Sequence, residues 1–425
     1  MNHPERNAIE MTTRIRYREH ILMNIYWFGL AFMWNALHPI VLPALLLAYV
    51  PESRKNTYLG GMTFAGLLLA MVIQPLSGGL SDRTVSRWGR RRPWMGIGLL
   101  FDVFFLAGMA LAGGFWGLTT AYILLQIASN IAHGPAQGLI PDLVPATERG
   151  VAAGFKNLFD MSGLVLASLA TGQLMGSENP VLVFGCIAGV LLLSGLITLG
   201  GVREPSVTRT EARPTTKRAQ WYDLWRVDWQ QHADYVALLV ARFLILWGIY
   251  AVQGFAQYFI RDRLAVSNPA AVTGTLMATI GLALTALVFP AGMLSDRLGR
   301  KRINVAAGAL ATVGIALLIL ARSVASLYVL GGIIGMATGV FLSVNWAWAT
   351  DLIPSQEAGK YLGLSNLATA GASASSRLAG PLIDIINGIV PGAYLGYPAL
   401  FALAATSTLL GTVWMARMHR GSIQS

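Results

Sequence analysis

The amino-acid sequence predicts an all-α polytopic membrane protein with twelve transmembrane helices, arranged as two six-helix bundles. Three observations predict this fold class. Hydrophobic residues make up 55% of the 425-residue chain and charged residues only 12%, whereas a soluble domain carries about a quarter charged residues. Apolar windows of roughly 20 residues, the length that crosses a bilayer as a helix, recur along the chain. Two polar motifs also occur twice, about half a chain length apart.

The apolar windows predict where the spans lie. They lack the short polar–apolar alternation of membrane barrel strands, so helices are the expected spanning structure. A polar segment rich in Arg, Thr and Pro at 201–233 predicts a cytoplasmic linker between a first bundle at 1–200 and a second at 234–425. The predicted spans are 21–48, 58–80, 94–113, 117–141, 151–175, 180–200, 234–260, 270–294, 303–321, 326–350, 361–386 and 397–416.

Basic residues predict the orientation of the chain in the membrane. The first twenty residues are polar and show no apolar core before a cleavage site, so no removable signal peptide is predicted. With a cytoplasmic N-terminus, most of the 31 Lys and Arg residues fall in cytoplasmic segments. The net charge of +11 then reflects topology and contact with anionic lipid of the bilayer rather than nucleic acid. We expect a multi-pass protein of a cell membrane, such as a bacterial inner membrane, with both termini cytoplasmic.

The two repeated motifs follow corresponding spans of each half. The segment G-G-L-S-D-R-T-V-S-R-W-G-R-R-R at Gly78–Arg92 returns as A-G-M-L-S-D-R-L-G-R-K-R at Ala291–Arg302. The segment P-D-L-V-P-A-T-E-R-G at Pro141–Gly150 returns as T-D-L-I-P-S-Q-E-A-G at Thr350–Gly359. Two motifs in the same order, after the second and fourth span of each half, indicate an internal duplication.

The doubled loop resembles the signature of the major facilitator superfamily. This resemblance spans essentially the whole chain and implies two six-helix bundles that rock about a central cavity. The loop in Ile73–Trp94 has three extra residues between Arg83 and Gly89. In this longer form it is similar to the sucrose/proton symporters of plants and their bacterial relatives, a branch of the glycoside-pentoside-hexuronide type. The fourth span is similar to that branch at Asn130, Gly134, Pro135 and Asp142.

The chain departs from that branch at two positions of the fourth span. Gln126 stands where the branch has an acid, and Gln137 where it has an arginine. The chain therefore lacks that branch's route of proton coupling, and sucrose itself is not implied. The fifth span also lacks the G-P-x-x-G-G pattern typical of drug/proton antiporters, which makes efflux the less favoured alternative.

The charged residues of the doubled loops predict a gating latch. Asp82 ends a helix beside Arg83 and within a loop's reach of Arg90 and Arg91, where a carboxylate can accept charge-assisted hydrogen bonds. Bonds that exist only when the cytoplasmic ends are together would favour the state open to the outside. The alternative is a plain orientation signal, with arginines that hold lipid phosphates. The predicted gating residues are Asp82, Arg83, Arg90, Arg91, Asp142, Asp296, Arg297, Arg300 and Asp351.

Polar residues of the fourth span predict a substrate-facing surface. Gln126, Asn130, His133 and Gln137 follow at i, i+4, i+7 and i+11, which places them on one helical face. Such side chains are costly in a bilayer unless they meet partners or a water-filled cavity; interhelical packing is the alternative. The resemblance implies that the first, fourth, seventh and tenth helices line the cavity. The other predicted substrate-binding residues are Asn35, His38, Arg242, Tyr250, Gln253, Gln257, Asn345, Trp346 and Trp348.

The chemistry of this residue set predicts the class of ligand. Amides bind hydroxyl groups as donors and as acceptors, and aromatic faces cover the apolar face of a sugar ring. We therefore expect uptake of a sugar or glycoside, coupled to a proton or another cation. The alternative is a proton-antiport exporter of an amphiphilic metabolite or drug. A third alternative, a membrane receptor or assembly factor, leaves the doubled latch without a purpose.

Two carboxylates inside spans are candidates for energy coupling. Asp102 and Asp160 lie about eight or nine residues from a predicted cytoplasmic end, roughly 12 to 14 Å deep. Burial at that depth favours the neutral form of a carboxyl group, so proton exchange becomes feasible. Lys156, one turn before Asp160, offers the alternative of a static ion pair.

Sequence motifs of other protein classes are missing. The chain contains no nucleotide-binding loop, no spacing typical of metal ligands and no nucleophile/base pair. We therefore expect no enzyme activity, no cofactor and no metal, and we expect a monomer.

Overall fold

The computed structural model describes residues 15–177, 179–205, 232–353 and 358–418. Over these residues the chain is all-helical and contains no β-strand, as the sequence predicts. Twelve long helices follow one another: α1 Tyr17–Leu46, α2 Lys55–Ser81, α3 Arg92–Ala110, α4 Phe115–Leu143, α5 Arg149–Leu174, α6 Pro180–Gly201, α7 Ala233–Arg263, α8 Pro269–Leu298, α9 Arg300–Leu317, α10 Val324–Asp351, α11 Ala358–Ser376 with Gly380–Ile389, and α12 Gly396–Arg417.

Ten of these helices are long and apolar enough to cross a membrane, within the described residues. The two others, α4 and α11, carry more polar and small residues. A 3₁₀ turn at Arg377–Ala379 divides α11, and α1 contains a π-helical turn at Leu37–Val41. Because Pro39 within that turn has no backbone N–H, it cannot continue the regular hydrogen-bond pattern. Both irregular turns fall inside predicted spans, where periodicity alone predicts continuous helix.

Short polar caps fix the beginnings of three helices. The side-chain oxygen of Asn179 accepts from Leu182 N at the start of α6, and that of Asn268 accepts from Ala271 N at the start of α8. A proline follows each asparagine, as is favourable at the first helical position. Ser323 forms a capping box at the start of α10. Each capping residue lies next to the helix that it begins, so helix starts of this kind can be predicted from the sequence.

The chain forms two compact units. The first takes its described residues from Met1–Asn35, Leu69–Ala167 and Asn179–Pro214, and the second from Ala36–Leu68, Ser168–Glu178 and Thr215–Ser425. Helices α1, α2 and α5 therefore contribute residues to both units. Most of the linker predicted at 201–233 lies outside the described residues, and the division of the chain into 1–200 and 234–425 stays a prediction.

Glycines allow close helix packing in the first unit. Helix α3 packs against α4 and α6. A Cβ atom on Gly98 would lie 2.6 Å from the Ala132 side chain. A Cβ atom on Gly134 would lie 2.3 Å from the carbonyl oxygen of Gln74. These approaches place the backbones of α3 and α2 directly against α4. Helix α4 carries the polar stripe, which is the face formed by Gln126, Asn130, His133 and Gln137.

The second unit holds a buried ion pair near the predicted outer ends of its helices. The Lys55 Nζ atom lies 2.7 Å from the Asp262 carboxylate, and both side chains are at most 3% exposed. The hydroxyl of Tyr397 donates to the same carboxylate at 2.5 Å. The start of α2 is thereby joined to the end of α7 and the start of α12.

Asp384 of α11 binds the N-terminus of α2. Its carboxylate accepts from Thr57 N and Thr57 Oγ1, both at 2.7 Å, and from Asn56 Nδ2 at 2.8 Å. A helix N-terminus has free N–H groups and a positive dipole end, so a carboxylate from another helix is a favourable cap. The same two helices touch at Gly60, where an added Cβ would lie 2.2 Å from the carbonyl oxygen of Arg377.

Replacing Gly60 by Ala tests this contact. Because the atom in the way is a backbone oxygen, α2 and α11 must separate, and we expect a loss of about 1 to 3 kcal/mol in the free energy of unfolding. Gly61→Ala is the matched control, since nothing lies within 4 Å of its added Cβ. Thermal unfolding of the purified protein measures both. Equal midpoints for the two variants would contradict the close approach.

Candidate functional site

Arg91 is the centre of an ion-pair cluster in the first unit. Its guanidinium lies 2.5 Å from the Asp82 carboxylate and 2.9 Å from that of Asp142. It also donates to Ser81 Oγ at 2.5 Å and to the carbonyl oxygen of Gly78 at 3.2 Å. Arg90 adds two hydrogen bonds to Asp142. These bonds connect the end of α2, the start of α3 and the end of α4.

Backbone geometry makes room for this cluster. A Cβ atom on Gly138 would lie 2.5 Å from the Arg91 guanidinium, so a larger residue there would displace it. Gly89 has φ +88°, which favours glycine, and it turns the chain into α3. The Glu204 carboxylate accepts from Arg91 N at 2.8 Å and Arg92 N at 3.0 Å. Burial raises the pKa of the Glu204 carboxyl, and these backbone donors partly offset that effect.

The second unit contains a related cluster around Arg300. Its guanidinium lies 2.5 Å from Asp351, 3.0 Å from Asp296 and 3.2 Å from Ser295 Oγ. Gly299 precedes it with φ +92°, the counterpart of Gly89. Arg300 corresponds in the repeat to Arg90, and the two side chains are similarly exposed at 28% and 27%, whereas Arg91, at 7%, has Lys301 as its counterpart. The pairing of an arginine with the aspartate of the fourth span is therefore repeated in both halves, and the first copy adds a buried arginine.

Each aspartate pairs with an arginine farther along the loop than its direct neighbour. Asp82 pairs with Arg91 rather than with its neighbour Arg83, and Asp296 pairs with Arg300 rather than with Arg297. Arg83 and Arg297 are exposed and form no ion pair with any described residue. Each cluster joins helices of its own unit. A gating role for these residues stays a prediction.

The polar stripe of α4 divides into two parts. Gln126 and Asn130 are buried and bind within the first unit: Gln126 donates to the Tyr122 hydroxyl at 2.8 Å, and Asn130 donates to the carbonyl oxygen of Gln126 at 2.8 Å. The carbonyl oxygen of Asn130 also accepts from Ser77 Oγ. Both side-chain hydrogen bonds thus lie within α4, one turn apart, and the contact with α2 goes to the α4 backbone.

The other part of the stripe borders an aromatic and charged group. The His133 ring meets Trp27 of α1 edge-on, with centroids 5.2 Å apart. Gln137 is exposed, and its Nε2 atom lies 3.3 Å from His133 Nε2. Lys156 of α5 lies 4.1 Å from the centroid of the Trp27 ring. Sequence reasoning missed Trp27, because one tryptophan in an apolar span carries no signal of its own.

The two candidate coupling carboxylates lie in different surroundings. Asp160 is 2.6 Å from Lys156 Nζ, and both side chains are about one quarter exposed. Asp102 is fully buried in α3, and neither of its carboxylate oxygens accepts a hydrogen bond from the described residues. Tyr26 of α1 is close enough to interact with Asp102 electrostatically. Asp102 is therefore a buried acid without a cation partner in the described chain.

In the second unit, Arg242 of α7 forms the centre of a polar group. Its Nε donates to Thr369 Oγ1 at 2.9 Å and its Nη1 donates to Asn345 Oδ1 at 2.6 Å. Asn345 is fully buried. Tyr250, two turns after Arg242 on the same helix, is close enough to interact with it electrostatically. The structure thus brings three predicted residues of α7 and α10 together.

The remaining predicted substrate residues are scattered. Gln257 is buried on α7, with a side-chain oxygen that accepts no hydrogen bond in the described chain. Gln253 instead lines a small apolar crevice with residues of α8, α10 and α12. Asn35 donates to the carbonyl oxygen of Ala31 in its own helix. The others are half-buried or partly exposed: His38, Trp346 and Trp348.

Twelve long helices in the described residues, ten of them able to cross a membrane, together with the two arginine clusters and the polar residues inside the spans, define a class, the polytopic membrane transporters built from two related halves. The chain belongs to the Major Facilitator Superfamily, whose family model matches residues 21–374 and 238–422. The resemblance drawn from the doubled loop is thereby confirmed at the level of the superfamily.

Known proteins of similar sequence and fold support this assignment. Multidrug resistance protein MdtG of Escherichia coli strain HS is 24% identical over 414 residues, which cover 95% of each chain. The D-xylose-proton symporter has a similar structure, with a TM-score of 0.72 at 17% identity over 94% of this chain and 97% of its own. A bacterial homologue of the lysosomal transporter Spinster has a TM-score of 0.70 at 16% identity, over 95% and 96%. At such identities the solved structures show the fold.

Replacing Asp82 by Asn tests the latch. The side chain is 54% exposed, so the free energy of unfolding should fall by less than about 1 kcal/mol. We expect transport to fall sharply, because Arg91 loses a charged partner that would have to re-form in each cycle. Arg87→Gln is the control, since it removes an exposed charge from the same loop that forms no ion pair with the described residues. Uptake into vesicles and thermal unfolding measure the two effects.

Normal transport by the Asp82 variant would remove the latch from the mechanism. Asp296→Asn should act in the same direction but more weakly, because the Arg300 cluster is more exposed and has fewer arginines.

Proposed function

We propose that this transporter takes up a sugar or glycoside together with a cation, by alternating access. One observation carries the proposal: His133 of α4 meets the ring of the buried Trp27 edge-on, and the exposed Gln137 lies 3.3 Å from His133, at the half-buried to exposed end of the polar stripe. An imidazole, an amide and an indole supply donors, an acceptor and an aromatic face within one short stretch of the first unit. That combination suits a neutral ring with several hydroxyl groups.

Export of an amphiphilic metabolite or drug is the second candidate. It is favoured by the similarity to MdtG, a protein named for multidrug resistance, over 95% of both chains. Against it stands the fifth span, which lacks the G-P-x-x-G-G pattern of drug/proton antiporters. Alternating access itself is common to both candidates, so ligand class distinguishes them. In both, we propose a monomer with cytoplasmic termini in a cell membrane such as a bacterial inner membrane.

Asp102 is the stronger candidate for proton coupling on structural grounds. A carboxylate without a cation partner is stable inside a span chiefly when it carries a proton. Asp160 already has Lys156 at 2.6 Å, which neutralises its charge in the present arrangement. For Asp160 to couple, that pair must break during the cycle. A proton that binds Asp102 in one state and leaves in another requires only a change in its access to water.

Ligand binding tests the sugar proposal. A ligand that binds only the folded protein raises its apparent melting temperature. We expect sugars or glycosides to stabilise the wild type, and Gln137→Ala to weaken that binding by about 1 to 3 kcal/mol. Leu124→Ala is the control on the same helix, because Leu124 is exposed to the surroundings of the bundle. Stabilisation by amphiphilic cations alone would favour the exporter, and equal losses in both variants would contradict the assigned face.

Neutralising each carboxylate tests coupling. Asp102→Asn should abolish accumulation driven by a proton gradient while substrate exchange continues, because exchange needs no net proton movement. Asp160→Asn should retain accumulation if Lys156 and Asp160 form a static pair. Both are measured in sealed vesicles with an imposed pH gradient. Accumulation by the Asp102 variant would exclude that residue, and a wild type that responds to no ion gradient would be a uniporter.

A further inference from the structure

Arg242 is a buried cation that has no ion-pair partner among the described residues. By contrast, Lys55 and Arg91, which are also buried, pair with Asp262 and Asp142. Arg242 is 5% exposed, and no carboxylate of the described residues lies within ion-pair distance of it. Its two hydrogen bonds go to the neutral oxygens of Thr369 and Asn345. Because an arginine side chain stays protonated in proteins, this site carries an uncompensated positive charge.

The hydrogen-bond donors around Arg242 also exceed the acceptors. A guanidinium has five N–H donors, of which the structure uses one on Nε and one on Nη1. The Asn345 amide gives its oxygen to Arg242, and its Nδ2 donors are buried without an acceptor in the described chain. The orientation of that amide is fixed by Arg242, since only its oxygen can accept from a guanidinium. The groups of Arg242 and Asn345 that still lack a hydrogen-bond partner are therefore all N–H donors.

The site around Arg242 lacks an anion and the hydrogen-bond acceptors for its free N–H groups. Leaving a charge and several N–H groups unsatisfied inside a span is costly, so retained residues of this kind mark functional positions. The missing component must be anionic and must offer at least two acceptor atoms close together. A carboxylate meets both requirements, since its two oxygens match the planar fork of a guanidinium.

We infer that the transported ligand carries a carboxylate, which binds Arg242 and the free amide donors of Asn345. The site lies on α7 and α10, with Thr369 of α11 holding the Nε edge of the guanidinium. This inference rests on the proposed transport function and narrows its ligand to an acidic sugar or glycoside. Arg242 is only 5% exposed in the conformation described, so alternating access would open the route by which the ligand reaches it.

Binding of a matched pair of sugars to the full chain tests the inference. D-Glucuronate and D-glucose differ at one carbon, which is a carboxylate in the first and a hydroxymethyl group in the second. We expect glucuronate to raise the melting temperature of the wild type more than glucose does. Arg242→Gln should weaken glucuronate binding roughly 10- to 100-fold. Arg322→Gln, which removes an exposed arginine from the loop before α10, should leave the binding unchanged.

A second variant keeps the test decisive if Arg242→Gln does not fold. Asn345→Asp places a carboxylate 2.6 Å from the Arg242 fork, where the amide oxygen now lies. The added charge should raise the melting temperature of the ligand-free protein, and it should exclude the carboxylate of glucuronate. Unchanged glucuronate affinity in either folded variant would overturn the inference.

The outcomes separate this inference from the proposed function. Tighter binding of glucose than of glucuronate would overturn the carboxylate and leave sugar transport in place. Binding of benzoate that depends on Arg242, without binding of any sugar, would support the carboxylate and overturn sugar transport. No stabilisation by glucuronate or by benzoate would overturn the inference.

Discussion

A charge inside a lipid bilayer must meet an opposite charge or a set of hydrogen bonds, and this constraint determines which helices of this protein hold together. Arg91 shows it most fully, because its guanidinium binds Asp82, Asp142 and Ser81 and so joins α2, α3 and α4. At the other end of the spans, Asp262 binds Lys55 and Tyr397 and joins α2, α7 and α12. Removing Lys55 or Asp262, which are both buried, would leave the other charge unpaired and poorly solvated.

These polar contacts depend on close approach of the helix backbones. An arginine side chain can reach two aspartates only because Gly138 leaves the space that a Cβ would fill. Likewise Asp384 reaches the free N–H groups of α2 because Gly60 lies against the backbone of Arg377. In lipid there is little hydrophobic driving force between helices, so small residues and polar bonds together supply the packing energy. The ion pairs and hydrogen bonds between these helices therefore depend on the close approach that the glycines allow.

The sequence predicted the helices better than their contacts. Length and hydropathy predict a span because the bilayer imposes both, and ten helices meet those criteria in the described chain. Arg91 was among three arginines that the sequence places within reach of Asp82, and the turn at Gly89, which proximity along the chain does not reveal, makes it the partner. Helical periodicity placed Asn130 and Gln137 on one face, but it could not show that Tyr122 and Ser77 cover one end while Trp27 borders the other. The two ends of the polar stripe differ because of contacts with segments that are distant in the sequence.

Charged residues that have an ion-pair partner and those that lack one differ in the roles open to them. A buried ion pair such as that of Lys55 and Asp262 needs no further partner, and its main effect is to stabilise the structure. Asp102 lacks a cation and Arg242 lacks an anion among the described residues. We propose that each is completed by a partner from outside the chain, a proton at Asp102 and an anionic ligand at Arg242. Under this proposal both partners are bound and released in every cycle, as ion-coupled transport requires of its binding sites.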